Sequence, residues 1–311
     1  MLSAGRIEKM MEKSEGINPV RYNAFFETFG KGNVGLVSMD KVVEEIRTGK
    51  PAPVYTLGNN LEIELSKEKG LDGSLFLASG FDLGSGQMSR REDLEEVMGY
   101  LEMQKAKGDI GAIVNSKYST LFEDKISFVG LAEKGMHVPH TYNFQNKKDF
   151  EEFIHEHGKH VVKHRFGYDG VNNFLIDKNN LGLLEKEVIS DYVVQELVPI
   201  ISETRLIFYG DELLGARKIE DRTRPWEEGL DVGRKHVIQK YNPSAGEIDR
   251  ARSMFKYADG IVGAVDTVQL SDGTEKVLEF NGVATGLGYP GGVYDLNHTV
   301  AEKLMQSYLK K

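Results

Sequence analysis

Three oxygen-bearing side chains near the C-terminus, Asp266, Glu279 and Asn281, lie within two apolar stretches that are typical of β-strands. Because side chains alternate between the two faces of a strand, Glu279 and Asn281 share one face while Phe280 points to the other. Acceptors in an apolar sheet are costly unless a cation meets them, and magnesium prefers oxygen ligands that it can bridge to phosphate. The pattern therefore predicts a magnesium site and phosphoryl chemistry on a nucleotide. The alternative is a set of surface acids beside the turn at residues 271–273.

A second candidate is Lys163, which lies in an apolar run and is followed by the glycine-containing segment Arg165-Phe-Gly-Tyr-Asp-Gly-Val171. Gly167 and Gly170 let the backbone approach an anion, and backbone N–H groups donate hydrogen bonds without a competing charge. A lysine on a strand beside such a loop can hold phosphate. The alternative is a solvent-facing lysine on an edge strand.

The segment Gln195-Glu-Leu-Val198 ends a predicted strand and leads into a turn at Pro199. A strand that leaves its sheet exposes backbone donors and acceptors, which can read the edge of an adenine ring while Leu197 packs against the ring. Taken alone, the segment is equally compatible with an ordinary strand end.

Basic residues gather around one loop, residues 221–236, and on the sequence that leads into it. They are Arg205, Arg217, Lys218, Arg222, Arg224, Arg234 and Lys235. Arginine forks match carboxylate and phosphate, so a local basic cluster on an acidic protein suits a small anionic ligand and favours an acidic or peptide-like substrate. The alternative is a solvated polar loop whose charges contribute little.

Composition narrows the class of protein. The 311 residues are 40% hydrophobic and 28% charged, as expected for a globular protein with two or three packed units. There is no cysteine, which excludes disulfides, thiolate metal sites and an enzyme-bound thioester. The net charge of −9 argues against a nucleic-acid partner. No apolar run reaches the length that crosses a bilayer, and the N-terminus lacks a secretory signal, so we expect no membrane partner and a cytoplasmic location.

Apolar periodicity predicts the elements that must position these residues. In the first third, strands are expected at residues 33–39, 53–55, 74–78 and 109–114, with a helix at 91–107. Together they indicate a small open α/β domain. Further helices are expected at residues 121–135, 146–156, from 244 onward and at 299–309. Further strands are expected at residues 160–164, 173–176, 192–197, 204–209 and 212–218.

The order of these motifs resembles the ATP-grasp superfamily, and within it the carboxylate–amine ligases such as ribosomal-protein glutamate ligase and glutathione synthetase. The similarity covers roughly residues 111–311. It implies an α/β (α+β) ATP-grasp fold, in which an N-terminal open α/β domain is followed by two α+β subdomains that clasp ATP. The corresponding division is an N-terminal domain at residues 1–115, a central lid subdomain at 116–198 and a C-terminal subdomain with the metal site at 199–311.

The resemblance also assigns nucleotide contacts. Lys125 and Lys163 are similar to the two phosphate-contacting lysines, with the loop from Gly167 to Gly170 covering the phosphates. Glu203 resembles the acidic residue near the ribose. The adenine-binding hinge matches Gln195, Glu196, Leu197 and Val198.

Metal and catalytic positions follow from the same resemblance. The family's ligands for magnesium, or for manganese in its place, match Asp266, Glu279 and Asn281. Arg205 matches the arginine that follows the hinge. The next basic position falls on Arg217 or Lys218, and the sequence leaves the register between them open.

The activity implied by the resemblance is an ATP-dependent, ADP-forming ligation. A substrate carboxylate attacks the γ-phosphate to give an acyl phosphate, and an amine then displaces phosphate to form an amide or peptide bond. The alternatives are modification of a peptide or protein, phosphorylation of a small molecule, and a nucleotide-binding module without catalysis. Expected partners are small-molecule or peptide carboxylates and amines, and the resemblance is compatible with a homodimer or tetramer.

Overall fold

The computed structural model describes residues 35–36, 39–49, 53–56, 62–64, 71–77, 91–108, 110–166, 173–220, 237–282 and 296–309. They belong to two compact units. One unit falls within Met1–Leu121, Asp259–Val262 and Gly282–Lys311, and the other within Phe122–Ala258 and Gly263–Asn281. Every predicted site residue that the structure describes lies in the second unit. The predicted loop glycines Gly167 and Gly170, and the basic loop at 221–236, lie outside the described residues. The division into three parts at residues 115 and 198 stays a prediction.

The described strands, in chain order, are β1 (Gly35–Leu36), β2 (Pro53–Thr56), β3 (Glu62–Glu64), β4 (Leu71–Leu77), β5 (Ile110–Val114), β6 (Thr141–Tyr142), β7 (His160–His164), β8 (Asn173–Ile176), β9 (Tyr192–Glu196), β10 (Ile200–Tyr209), β11 (Glu212–Glu220), β12 (Val237–Lys240), β13 (Val262–Leu270) and β14 (Glu275–Asn281). The described α-helices are α1 (Met39–Thr48), α2 (Arg91–Lys107), α3 (Lys117–Leu121), α4 (Lys147–His157), α5 (Ala245–Tyr257) and α6 (Asn297–Leu304). No helix in this part of the chain is long and apolar enough to span a membrane.

The first unit has the parallel strand pair and packed helices of a small α/β domain. β4 and β5 are parallel neighbours, while β1, β2 and β3 form a separate antiparallel sheet. α2 begins and ends where the apolar stripe predicted it, and the stripe of Leu94, Val97, Met98 and Leu101 is buried. α6 is continued by a single π-helical turn at Met305–Leu309. Together they match the predicted last helix, which was expected to begin two residues later.

In the second unit, a four-stranded sheet in the order β6-β9-β7-β8 packs against α4. Asn146 caps this helix, because its side chain accepts a hydrogen bond from the Asp149 N–H. Phe150 and Ile154 of α4 are buried together with Val162 of β7. β7 and β8 are antiparallel neighbours, as predicted for strands on either side of a glycine turn.

A five-stranded sheet in the order β12-β11-β10-β13-β14 completes the second unit. One face of this sheet packs on α5, where Phe255 meets the buried Phe208 and Phe280. The Ser244 and Glu247 capping box that was predicted at the start of α5 is present. Since Phe280 faces α5, its neighbour Glu279 must point to the opposite face of the sheet.

The helix predicted at residues 121–135 is wrong. α3 ends at Leu121, and the chain continues through turns and a 3₁₀ helix at Lys125–Phe128. The Asp124 side chain accepts a hydrogen bond from the Ile126 N–H and so caps a new short helix. Aspartate side chains that bond nearby backbone N–H groups compete with a continuing α-helix, which apolar spacing alone does not reveal.

His164 ends β7 in a half-buried position against the ring of Tyr192, with ring centroids 5.2 Å apart. Its Nδ1 accepts a hydrogen bond from the Phe166 N–H at 3.3 Å, which requires an unprotonated Nδ1. Burial lowers the pKa of His164, and Lys125 and Arg165 lower it further against an opposing contribution from Asp191. The folded protein therefore favours the neutral imidazole.

We predict that this histidine makes stability fall in mild acid. The unfolded chain binds a proton near the ordinary histidine pKa of about 6.5. The folded chain binds it only at lower pH, so the stability due to neutral His164 is present above that value and is lost as pH falls through the window below it. In His164→Asn the amide oxygen can still accept from the Phe166 N–H, and we expect a flatter dependence. Urea unfolding between pH 7.5 and 5 measures it.

The matched control is His155→Asn, because His155 is exposed on α4. This variant should keep the native dependence on pH. An unchanged slope in His164→Asn would contradict the assignment.

Candidate functional site

A row of charged side chains crosses the five-stranded sheet on the face opposite α5. Arg217 of β11 lies directly opposite Lys240 of β12 on one side and Arg205 of β10 on the other. Arg205 contacts Asp266 of β13, and Asp266 lies directly opposite Glu279 of β14. Because residues opposite each other in an antiparallel pair share a face, these side chains form one row. It runs from three cations to two carboxylates.

At the centre of the row, Arg205 and Asp266 form a two-pronged ion pair. The Arg205 Nε donates to one carboxylate oxygen at 2.6 Å, and Nη2 donates to the other at 2.5 Å. The Asp266 side chain is only 4% exposed. Burial alone would lower the pKa of Arg205, but Asp266 raises it above its ordinary value, helped by Glu279 and Glu203. The Arg205 guanidinium therefore stays charged, and the two-pronged contact fixes its orientation in a poorly solvated place.

The three predicted metal ligands are brought together by β13 and β14. Asn281 Nδ2 donates to Asp266 at 3.1 Å, and Glu279 lies opposite Asp266 in the strand register. Lys125 approaches the same cluster from its 3₁₀ helix, with Nζ 3.3 Å from a Glu279 oxygen. Each carboxylate is thus met by a cation of the chain itself, Arg205 in one case and Lys125 in the other.

The chemistry of this cluster fits magnesium. Two carboxylates and an amide oxygen are hard donors, and magnesium is usually held by one or two carboxylates while substrate phosphates supply further oxygens. Across the described residues, no group of three or more His, Cys, Asp or Glu is placed to hold a metal. A cation at Asp266, Glu279 and Asn281 would therefore use a mixed set that includes the Asn281 amide.

The second predicted phosphate lysine is held by its own polar partner. Lys163 Nζ donates to Gln195 Oε1 at 2.6 Å, and Gln195 Nε2 donates to Thr141 Oγ1 at 3.1 Å. Gln195 is buried, so its side chain orients Lys163 from the adjacent strand β9. The sequence analysis predicts that Gln195 contacts adenine, whereas in the structure its side chain contacts Lys163, the predicted phosphate lysine.

The residues predicted to form the adenine hinge lie at the end of β9, which ends at Glu196. The Glu196 N–H donates to the His140 carbonyl at 2.8 Å, so this backbone donor is paired within the protein. The Glu196 carboxylate accepts from Lys276 at 2.7 Å. Burial would raise the pKa of Glu196, but the hydrogen bonds from Lys276 and the His140 N–H lower it. The N–H and the carboxylate of Glu196 thus both have partners within the protein, and its contact with adenine stays a prediction.

Apolar side chains surround the end of the hinge. Val198 is buried with Val268 and Leu270 of β13, whereas the preceding Leu197 is 38% exposed. This patch lies on the strand that also carries Asp266, two residues before Val268. The exposed Leu197 side chain offers apolar surface on which a flat ring can pack.

Strand register separates the two basic candidates that the sequence left open. Arg217 lies opposite Arg205 and is buried, whereas Lys218 lies opposite Thr204 on the other face. There Lys218 lies 5.7 Å from the ring of Tyr241 and forms an ion pair with Glu220 at 3.1 Å. The structure therefore places Arg217 in the charged row and puts Lys218 outside it, because adjacent residues of a strand point in opposite directions.

Glu203 shares the face of the charged row, because it precedes Arg205 by two residues on β10. It lies opposite Ile219, is 3% exposed, and contributes to raising the pKa of Arg205. Its position as the ribose-side acid stays a prediction.

Sequence reasoning missed Lys240, Asp124 and Arg165. Lys240 joins the row only through the pairing of β11 with β12, for which the sequence carries no local signal. Asp124 precedes Lys125 and pairs with Arg165, which is 41 residues away. Neighbouring opposite charges can be seen in a sequence, but partners this far apart cannot be matched without the fold.

The structure was compared with known proteins. No family model matches the chain, and no curated protein sequence matches it significantly. Among solved structures, the macrocyclase MdnC from Microcystis aeruginosa MRC, bound to its precursor peptide MdnA, is 18% identical with a TM-score of 0.58. That similarity covers 93% of this chain and 95% of MdnC.

Two further ATP-grasp structures are similar over a smaller part. The ligase PsnB, complexed with a variant of its minimal precursor, Mg and ADP, is 19% identical over 70% of this chain and 68% of PsnB, with a TM-score of 0.51. D-alanine–D-alanine ligase from Bacillus anthracis is 16% identical over 68% of this chain and 74% of that ligase, with a TM-score of 0.51. The structure has two compact units, and the second unit contains two antiparallel sheets. Together with these structural similarities, this arrangement shows that the chain has the ATP-grasp fold.

Proposed function

We propose that this protein is an ATP-dependent, ADP-forming ligase that joins a carboxylate to an amine. The charged row carries the proposal. It presents carboxylates for a divalent cation at one end and basic groups for an anionic substrate at the other. The ATP-grasp fold supports the same conclusion, since ligases with this fold have been solved with Mg and ADP.

The nucleotide would lie between the hinge and the metal ligands at the carboxylate end of the row. The exposed Leu197 would pack against adenine, while Lys125 and Lys163 would contact the phosphates. Asp266, Glu279 and Asn281 would hold magnesium. When bound, magnesium neutralises charge on the phosphate oxygens as the γ-phosphate is transferred.

Lys125 and Arg205 could change partners when magnesium and substrates bind. Lys125 and Arg205 each meet a carboxylate that a divalent cation would also use. If a cation bound these carboxylates, Lys125 and Arg205 could donate some of their hydrogen bonds to anionic groups of the substrates instead.

The proposed chemistry requires no nucleophile from the protein. A carboxylate oxygen of the substrate attacks the γ-phosphorus, the bond to the β-phosphate oxygen breaks, and ADP leaves with that electron pair. An amine nitrogen then attacks the acyl carbon, the C–O bond to phosphate breaks, and the amine loses a proton as the amide forms. Arg205 and Arg217 stabilise the oxygen charges by position, which costs no reorganisation during the reaction.

The carboxylate is proposed to lie toward the basic end of the row, near Arg217 and Lys240. A concentration of positive charge on a protein of net charge −9 favours an anionic group at this place. A peptide substrate is the favoured form, because the solved structure with the broadest coverage among those described above was bound to a precursor peptide. A small-molecule kinase and a nucleotide-binding module without catalysis are the competing functions.

Isotope transfer distinguishes these functions. The protein is incubated with magnesium, ATP, hydroxylamine and acidic amino acids or peptides whose carboxylates carry ¹⁸O. An acyl phosphate gives a hydroxamate and moves one ¹⁸O into the released phosphate. A phosphorylated product without release of phosphate would instead identify a kinase. Binding of ATP without ADP formation across the panel would identify a module without catalysis.

We predict that Glu279→Gln lowers ADP formation by at least about a hundredfold, because it removes a charge that holds the cation at the transferred phosphate. The matched control is Glu275→Gln on the same strand. Glu275 pairs with Arg250 on the α5 face and should tolerate the change. Coupled detection of ADP measures both variants, and native turnover in Glu279→Gln would contradict the metal assignment.

A second prediction tests the register of the basic residues. Arg217→Lys keeps the charge but removes the planar fork, so hydroxamate formation should fall by roughly tenfold or more. Lys218→Arg changes the residue on the other face and should stay within about twofold, since a surface charge there contributes little. The reverse order of effects would place Lys218 at the substrate.

A further inference from the structure

We infer that Asp124 and Arg165 are positioning residues that hold Lys125 at the nucleotide phosphates. This inference rests on the proposed function, because it assigns Lys125 to ATP. The pair is separate from the charged row, and neither residue belongs to the predicted phosphate, metal or hinge sets.

The pair is geometrically well defined. Arg165 Nε donates to one Asp124 oxygen at 3.0 Å, and Nη2 donates to the other at 2.5 Å. The Asp124 side chain is fully buried, and that of Arg165 is 18% exposed. A two-pronged contact of this kind restricts both distance and orientation, which a single lysine contact would not do.

Asp124 connects the ion pair directly to the segment that carries Lys125. The same carboxylate oxygen that meets Arg165 Nε accepts the Ile126 N–H at 3.1 Å and caps the 3₁₀ helix Lys125–Phe128. The backbone adds a second connection, because the Lys125 N–H donates to the Arg165 carbonyl at 3.1 Å. Lys125 is therefore fixed to Arg165 through both its own main chain and its preceding residue.

Arg165 is in turn fixed to the four-stranded sheet. Its N–H donates to the Asp191 carbonyl at 2.9 Å, and it follows Lys163 by two residues. Through this pair, the short helix that carries Lys125 is joined to the end of the strand that carries Lys163. The ion pair thereby connects the segments that carry the two lysines.

The contact with Asp124 argues against Arg165 binding phosphate itself. Turning the guanidinium toward a phosphate would leave the Asp124 carboxylate buried without its cation, and breaking a buried pair in this way is strongly unfavourable. Lys125 differs, because its Nζ donates to the Arg165 carbonyl at 3.5 Å and meets Glu279, a candidate metal ligand whose side chain is 26% exposed. The geometry thus assigns ATP contact to Lys125 and support of that contact to Asp124 and Arg165.

Calorimetric titration with ATP and magnesium tests the inference in the full-length chain. Asp124→Asn keeps an oxygen that can cap the Ile126 N–H but removes the charge that holds Arg165. We expect ATP affinity to fall by about 10- to 100-fold, by analogy with the losses found when residues that orient metal ligands are changed. Arg165→Gln should have an effect of similar size, because it leaves the Asp124 carboxylate without its cation.

The double variant Asp124→Asn/Arg165→Gln gives the deciding result. It replaces the ion pair by two neutral amides, so a positioning role predicts tighter ATP binding than in either single variant. If Arg165 itself bound phosphate, the losses would add in the double variant. Additive losses, or single variants that bind ATP as the native protein does, would overturn the inference.

Glu247→Gln is the matched control for loss of a buried capping carboxylate. Glu247 accepts hydrogen bonds from the Ser244 N–H and the Tyr241 hydroxyl and lies on α5, away from the lysines. It should lower stability without changing ATP affinity. If Asp124→Asn does not fold, Arg165→Lys is titrated instead, with a smaller loss expected and native affinity contradicting the role. Absence of ATP binding by the native protein would refute the proposed function, which is a different outcome.

Discussion

The ion pair between Arg205 and Asp266 is the interaction around which the site is built. It places a guanidinium and a carboxylate in the middle of a sheet whose other face is an apolar core. Such groups are tolerated only when each meets an opposite charge, so Asp266 and Arg205 constrain each other. Strand pairing then places Arg217 beside Arg205 and Glu279 beside Asp266. The strand register therefore sets the order of charges across the sheet.

The strands of the five-stranded sheet pack against the apolar core on one face and carry the charged row on the other. On β14, Val277 and Phe280 pack with α5, and Glu279 and Asn281 point away from it. Val277 and Phe280 share a face although they are three residues apart, whereas a regular strand repeats every two. The pairing of β13 with β14 is irregular at the same place, between Asp266 and Thr267, where β14 has an extra residue. A bulge of this kind redirects side chains without interrupting the sheet. It allows Phe280 to remain in the core while Glu279 faces Asp266.

Local signals predicted much of the fold. The stripe on α2 and the Ser244–Glu247 capping box depend on residues within one or two turns, and both are present. The helix predicted at residues 121–135 is absent, because Asp124 bonds a nearby backbone N–H and Arg165. Apolar spacing cannot detect a contact made 41 residues away.

For the site, residue types predicted which side chains could bind metal and phosphate, but not how the protein holds them. The choice between Arg217 and Lys218 required the strand register, since the two residues differ by one position and point to opposite faces. The contact of Lys163 with Gln195 likewise depends on the pairing of β7 with β9. Positions determined by long-range pairing were therefore the ones that the sequence left open.

The most direct test is calorimetric titration of the native protein with ATP in the presence of magnesium and again with the metal chelated. If the carboxylates of the charged row bind a cation that bridges to phosphate, ATP binds saturably at one molecule per chain, and chelation weakens binding by at least about tenfold, equivalent to about 1.4 kcal/mol. No binding with magnesium present, or the same affinity after chelation, would contradict this account.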